Sequence, residues 1–333
     1  MKNWLRRNKE PVTEMKVTVP PEAAAAAGAE TVLRRLEWKV IKRLDGLLQG
    51  DYRTLLRGTG LDLADLREYQ HADDVRHIDW NVTARLDMPH VRVFTEDREM
   101  AAWFLLDLSP SIDFGSGEQR KRNISAEFVA VLARLLTRHG NRVGAMLYGS
   151  GVESVIPARS GRRHVLHLLH SIQSCEAPAE SGPTRLADLL ASAASAIKRR
   201  STIFVVSDFI SEPGWERALA LLAQHHEVVA VRVLDPLELE LPDLGLLTLR
   251  DAETGEQVVV DTHDKGFRRR FATIAAQREA ELREALVRAG VDALELSTDA
   301  DLVDAIVRFV DMRKRRTQLN AGGGLPTHLK RAA

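Results

Sequence analysis

The chain has 333 residues, enough for one large domain with an extension or for two domains, and its 47 Lys and Arg balance its 47 Asp and Glu. A net charge of zero removes any global electrostatic case for a nucleic-acid or anionic-membrane partner. The lone Cys175 cannot form an internal disulfide, no apolar stretch of signal-peptide length follows the basic start Met1 to Arg7, and no uncharged apolar run approaches the ~20 residues of a membrane helix, so a cytoplasmic protein is expected.

Residues 1–29, with Pro20-Pro21 and the Ala23 to Ala27 tract, show no sustained apolar periodicity and are expected to be a flexible tail. A helix is expected from Glu30, where Leu33, Leu36, Val40, Leu44 and Leu47 recur at spacings of three and four and Arg34, Arg35, Lys39, Lys42 and Arg43 solvate the rest. The stretch from Leu66 to Arg85 is denser in charge and aromatics than its surroundings. Its Tyr69, Asp73, Asp74, Arg76, Asp79, Trp80 and Arg85 read either as a salt-bridged clasp onto the main domain or as a partner-binding surface. A metal site through His71, Asp73, Asp74 and His77 has no recognisable ligand spacing behind it. Pro89 to Thr95 alternates as an extended strand, closing an N-terminal extension over 30–98.

From Met100 the pattern alternates strand and helix, the signature of an α/β domain with a doubly wound, mostly parallel sheet, here placed over 99–313. Strands are expected at Met100 to Leu106, Val143 to Tyr148, Val152 to Ile156, Thr202 to Val206, Val228 to Val233 and Ala293 to Leu296. The third is joined to the second by Gly149-Ser150-Gly151 and should run antiparallel to it. Helices are expected near 124–139, 162–173, 185–198, 265–289 and 299–313. Within 235–262 a small inserted hairpin is expected, its strands flanking Asp251 to Gly255. Residues 314–333 are expected to be a flexible, basic, glycine-containing tail.

The sharpest chemical pattern is Asp107-Leu108-Ser109-Pro110-Ser111, one carboxylate and two hydroxyls on a loop leaving the carboxyl end of the first main strand. A polar loop in which Asp107 or Ser109 caps the next helix is the plain alternative. Sites in doubly wound sheets form where strand order reverses, because loops from neighbouring strands part to opposite faces there. If the order is 3-2-1-4-5-6, Asp208 after the fourth strand faces Asp107, Ser109 and Ser111, and Thr184 on the Gly182-Pro183-Thr184 loop can close over them, unless it serves only as a helix N-cap. Two carboxylates and three hydroxyls, completed by water, suit Mg²⁺, with Mn²⁺ or Ca²⁺ as alternatives, better than a thiolate- or imidazole-seeking metal.

These five positions resemble the metal-ion-dependent adhesion site of von Willebrand factor A-like domains, Asp-x-Ser-x-Ser followed by a Thr and an Asp. The resemblance implies that Ser109, Ser111 and Thr184 coordinate the ion, that Asp107 and Asp208 hold it mainly through water, and that an acidic residue of a partner takes an open position. A wider resemblance, carried by Arg67-Glu68-Tyr69, Asp73-Asp74-x-Arg76, Ile78-Asp79-Trp80, Ala84-Arg85, Asp235-Pro236-x-Glu238 and Asp251-x-Glu253-Thr254-Gly255, is to the bacterial family labelled domain of unknown function 58. Ala72 departs from the Gly usual in that family before the Asp. The resemblance implies an adaptor or chaperone-like partner of MoxR-type AAA+ ATPases, acting on a client protein, with peripheral association to membrane complexes allowed. A non-enzymatic role is therefore expected. The enzyme alternative is a phosphohydrolase or phosphotransferase of haloacid dehalogenase type using Asp107, but that chemistry wants an acid two positions later, where Ser109 stands. No Gly-x-x-x-x-Gly-Lys-Ser/Thr loop is present, so ATP hydrolysis by the chain itself is not expected.

Overall fold

Residues 21–41, 43–44, 65–69, 78, 80–86, 88–93, 101–117, 119–175 and 182–321 are described by a computed structural model. Helix α1 (Pro21–Leu36) runs into a π-helical turn at Glu37–Ile41. It begins ahead of the expected Glu30 and takes in the alanine tract, so the part of the expected tail from 21 to 29 is helical, while residues 1–20 lie outside the described residues. The physical reason is that alanine loses least on entering a helix and proline suits its first turn. Ala29, Leu33, Leu36, Ile41 and Leu44 are buried, and Glu37 accepts from Arg134 at 2.6 Å while Glu30 accepts from Arg162 at 2.9 Å. In the charged extension, β1 (Asp65–Glu68) pairs antiparallel with β2 (His90–Val93), and α2 (Trp80–Leu86) lies between them in the chain. Only β2 was legible as a strand.

The main sheet is built from β3 (Ala101–Asp107), β4 (Arg142–Tyr148), β5 (Val152–Arg159), β6 (Thr202–Ser207) and β7 (Glu227–Leu234). The chain then forms the separate hairpin β8 (Leu246–Arg250) and β9 (Gln257–Asp261) before returning with β10 (Asp292–Ser297). The sheet order is β10-β7-β6-β3-β4-β5, parallel throughout except that β5 runs antiparallel to β4. Counted along the chain this is the expected 3-2-1-4-5-6.

Strand parity separates the two hydrophobic layers, since successive side chains of a strand point to opposite faces. Phe104 and Leu106 face α3 (Lys121–Arg138), α4 (Arg162–Ser174) and α8 (Leu302–Ala321), whose Phe128, Leu168 and Phe309 share their cluster. Phe104 stacks on Phe204 with centroids 5.3 Å apart, and Phe128 meets both edge-on. Leu105 and Val205 face the other layer, from α5 (Leu186–Ala196), α6 (Trp215–His225) and α7 (Lys265–Ala289), which supply Leu189, Leu222 and Leu286. The connection leaving β3 therefore passes to one face and that leaving β6 to the other. Between them lies the crevice at which Asp107 and Asp208 emerge.

Candidate functional site

Asp107 ends β3 between two parallel neighbours, β4 and β6, and is fully buried. Its Oδ1 accepts from the Ser109 amide at 3.0 Å, which folds the loop back over the strand end, and its Oδ2 accepts from the Ser207 hydroxyl at 2.7 Å. Burial, followed by the negative charge of Asp208, pushes Asp107 up to about 6 against the hydrogen bonds from Ser207 and Ser109. Pro110 then opens a 3-10 turn, Pro110–Asp113, that carries Ser111. The Ser109 and Ser111 hydroxyls lie 3.2 Å apart, turned toward each other instead of capping the turn.

Ser207 and Asp208 close the site from β6. Phe209, the next residue, has φ of +59°, an uncommon conformation for a bulky side chain that costs on the order of 1–3 kcal/mol. It is held there by its ring, 5.3 Å from that of Trp215, and by its amide, which donates to Ser207 Oγ at 2.9 Å. Ser207 thus receives from Phe209 while giving its proton to Asp107. Asp208 Oδ1 accepts from the Ile210 amide at 3.0 Å, and Oδ2 accepts from Lys121 Nζ at 2.8 Å.

Lys121 is the first residue of α3 and is completely buried. Burial lowers its proton affinity, yet Asp208 and Glu238 outweigh burial and hold the ammonium above its ordinary range. Glu238 belongs to a 3-10 turn, Pro236–Glu238, after β7, and accepts from the same ammonium. That turn starts at Asp235, whose Oδ2 accepts from Ser116 N at 2.9 Å, Ser116 Oγ at 3.0 Å and Thr298 Oγ1 at 2.7 Å, and whose Oδ1 accepts from Leu237 N at 3.0 Å. Asp235 therefore ties the loop after Ser111 to the ends of β7 and β10.

Thr184 is buried, and its loop is pinned to the one after Asp208: Thr184 O accepts from Glu212 N at 2.9 Å and from Ser211 Oγ at 2.9 Å. Its side chain is not an N-cap. The hydroxyl donates to Glu253 Oε1 at 2.6 Å and the amide to Glu253 Oε2 at 3.1 Å, and Glu253 lies between β8 and β9. A cleft of about 400 Å³ opens beside Asp208, lined among others by Phe209, Trp215, Arg278 and Leu282.

The residues present fit a hard divalent cation. The 3.2 Å between the serine oxygens is close to one edge of an octahedron with metal–oxygen distances of ~2.1 Å, about 3.0 Å. Each oxygen of Asp107 and Asp208 accepts one hydrogen bond in the contacts above, so a carboxylate oxygen keeps a lone pair for water or metal. Sequence reasoning did not place at the site Lys121, Ser207 and Glu238, which hold the carboxylates through hydrogen bonds and ion pairs, or Glu253, which covers Thr184. One signal was available for Lys121: it lies in register with Ile124, Phe128, Leu132 and Leu135 on the apolar stripe of α3, where a charge must find a buried partner.

Of the residues expected to bind a partner, Trp80 is 69% exposed, Arg85 is exposed, and Tyr69 is half-buried with its amide donating to Pro89 O at 2.8 Å. Asp73, Asp74, Arg76 and Asp79, with His71 and His77, lie outside the described residues. Among the described residues no helix is long and apolar enough to cross a membrane.

Fold and site together define a doubly wound α/β protein with an oxygen-donor cluster at its switch point. The chain belongs to the family described as "Protein of unknown function DUF58", which matches residues 65–281. The uncharacterized proteins Rv1480 of Mycobacterium tuberculosis and Mb1516 of Mycobacterium bovis are each 39% identical to it over 300 residues, covering 89% of this chain and 91% of theirs. Among solved structures, an aerotolerance-related membrane protein from Bacteroides fragilis is 13% identical with a TM-score of 0.41. BatB from Bacteroides thetaiotaomicron is 15% identical with a TM-score of 0.39, and each match covers 65% of this chain and 99% of the other. At these scores the likeness carries no weight for function.

Proposed function

We propose that the chain is a non-enzymatic protein-interaction module that uses Mg²⁺, or Mn²⁺ or Ca²⁺ in its place, to take an acidic side chain of a partner protein. The observation that supports this most directly is the convergence of Asp107, Ser109 and Ser111 from the β3 loop with Asp208 from the β6 loop at the switch point. Ser109, Ser111 and Thr184 would hold the ion, with Asp107 and Asp208 balancing its charge through water. Bound there, the cation supplies a Lewis-acidic position for a carboxylate. Lys121, Ser207 and Glu238 keep the donors aimed. The resemblance to domain of unknown function 58 supports a MoxR-type AAA+ ATPase as the working partner, with the chain as adaptor or co-chaperone for a client in complex maturation. Trp80 and its neighbours on the charged extension offer a second contact surface, in the cytoplasm or at the periphery of a membrane complex.

Thermal unfolding with and without Mg²⁺ tests the reading. A cation at about 100 times its Kd adds about 2.7 kcal/mol, roughly 5 to 10 °C in Tm for a domain of this size. Asp107→Ala and Asp208→Ala should abolish that rise. Absence of any metal effect on Tm or on partner affinity refutes the proposal, and so does Asp107-dependent hydrolysis of a generic phosphate ester. Against the latter chemistry, position 109 offers a hydroxyl where that chemistry needs a general acid.

A further inference from the structure

Asp107, Asp208 and Glu238 lie at or just after the ends of main-sheet strands, but Glu253 sits at the tip of the β8–β9 hairpin. That tip is preorganised. Asp251 Oδ1 accepts from the amides of Glu253 at 2.8 Å and Thr254 at 2.9 Å, Asp251 N donates to Glu256 O at 2.8 Å, and Gly255 takes φ of +74° to complete the turn. The base is closed on itself as well, since buried Thr262 donates through N and Oγ1 to Gly245 O at 2.8 and 2.7 Å and accepts from Leu244 N at 2.9 Å. Among the described residues neither strand pairs with the main sheet, and Leu246, Val258 and Val259 are 74%, 57% and 67% exposed. The hairpin is thus paired only with itself among the described residues, with Leu247, Leu249 and Val260 half-buried and the opposite face open. Its tip is held to Thr184 by the two hydrogen bonds that Glu253 accepts.

The chemistry of those bonds carries the argument. A carboxylate is the ligand that an oxygen-lined cation site with an open position accepts, and Glu253 is a carboxylate already seated on the hydroxyl and amide of one of the site's own donors. Two carboxylates repel each other when brought to one locus, so an incoming acid and Glu253 exclude one another. We propose that the hairpin is a built-in competitor: Glu253 keeps the acid-accepting face of the site closed at Thr184, and a partner's acidic side chain binds when the hairpin tip moves off. This rests on the metal-mediated reading above. A site closed for 90 to 99% of the time would bind its partner about 10- to 100-fold more weakly than the open site.

The test uses the full chain, Mn²⁺ alone, and then a short acetylated and amidated Gly-Asp-Gly peptide as the carboxylate probe. Free Mn²⁺ is read by electron paramagnetic resonance, and metal-bound water by proton relaxation. Wild type and Glu253→Ala should bind Mn²⁺ comparably, while the peptide binds the variant at least about tenfold more tightly and lowers the relaxation rate as it displaces water. Glu253→Gln, which keeps the shape and removes the charge, should fall between them. Equal peptide affinity in chains that all bind Mn²⁺ overturns the competitor and leaves the metal-mediated reading standing. A tenfold loss of Mn²⁺ affinity in Glu253→Ala without a gain for the peptide also overturns it, and makes Glu253 a positioning residue for Thr184. Failure of every chain to bind Mn²⁺ overturns the metal-mediated reading and the competitor with it.

Discussion

Lys121→Met removes the ammonium beneath the site while keeping an unbranched side chain of similar length. The lysine is completely buried and is shared by Asp208, whose side chain is 1% exposed, and Glu238, whose side chain is 20% exposed. Removing one partner of a buried ion pair costs about 3–5 kcal/mol, because the remaining charge is left without compensation. Glu238 can recover some hydration at its exposed edge, so a loss near 3 kcal/mol is expected, with Asp208 bearing most of it. For a domain of this size that is roughly 6 to 12 °C in Tm. Urea unfolding at pH 7 should show a lower midpoint at unchanged m. Combining the change with Asp208→Asn should destabilise less than the sum of the two single changes, since the second removes the charge that the first orphans. A loss below about 1 kcal/mol, or strict additivity in the double variant, would refute the argument that Lys121 holds Asp208 in place.

Asp235→Asn should lower stability by about 1–3 kcal/mol at pH 7, because whichever way the amide turns its nitrogen faces a donor it cannot accept from, Leu237 N at the place of Oδ1 or Ser116 and Thr298 at that of Oδ2. Burial alone would raise the pKa of Asp235, but the hydrogen bonds from Ser116, Thr298 and Leu237 more than offset it and hold the carboxyl below the usual range. Its contribution is therefore complete above the unfolded value of about 3.9 and is lost as pH falls through the lower folded value. The gap between wild type and variant in unfolding experiments should accordingly narrow only in strong acid, and a gap that closes already at pH 5 would contradict the assignment. Trp80→Ala, at a side chain 69% exposed, should leave stability within about 0.5 kcal/mol while reducing co-purification of an AAA+ partner. Substantial unfolding of that variant would instead favour the clasp reading of the extension.

The sequence revealed most of the sheet, and the placing of Asp107 and Asp208 at strand ends, because both rest on local signals. Uninterrupted apolar runs such as Ile203 to Val206 belong to strands buried on both faces, and a polar residue directly after such a run leaves at the strand's carboxyl end. Asp107 and Asp208 were found in that way, and topology rules limited the strand orders enough to make them neighbours. The start of α1 was misplaced because the alanine tract has propensity but no amphipathic pattern to betray it.

The sequence by itself thus determined which oxygen-bearing side chains leave the strand ends near the switch point, Asp107, Ser109, Ser111 and Asp208, on loops whose positions follow from alternating strands and helices. Only the tertiary structure decided what each donor meets. Lys121 reaches Asp208 across 87 residues of chain, Glu253 reaches Thr184 across 69, and Asp235 reaches Ser116 across 119. Whether a charged side chain is solvated on a helix face or buried beneath a site depends on partners brought together from distant segments, because burial is tolerated only where an opposite charge or hydrogen bonds are already waiting. The Asp-x-Ser-x-Ser loop carries its chemistry in five residues, but the lysine beneath it and the acid held over Thr184 exist as neighbours only once the chain is folded.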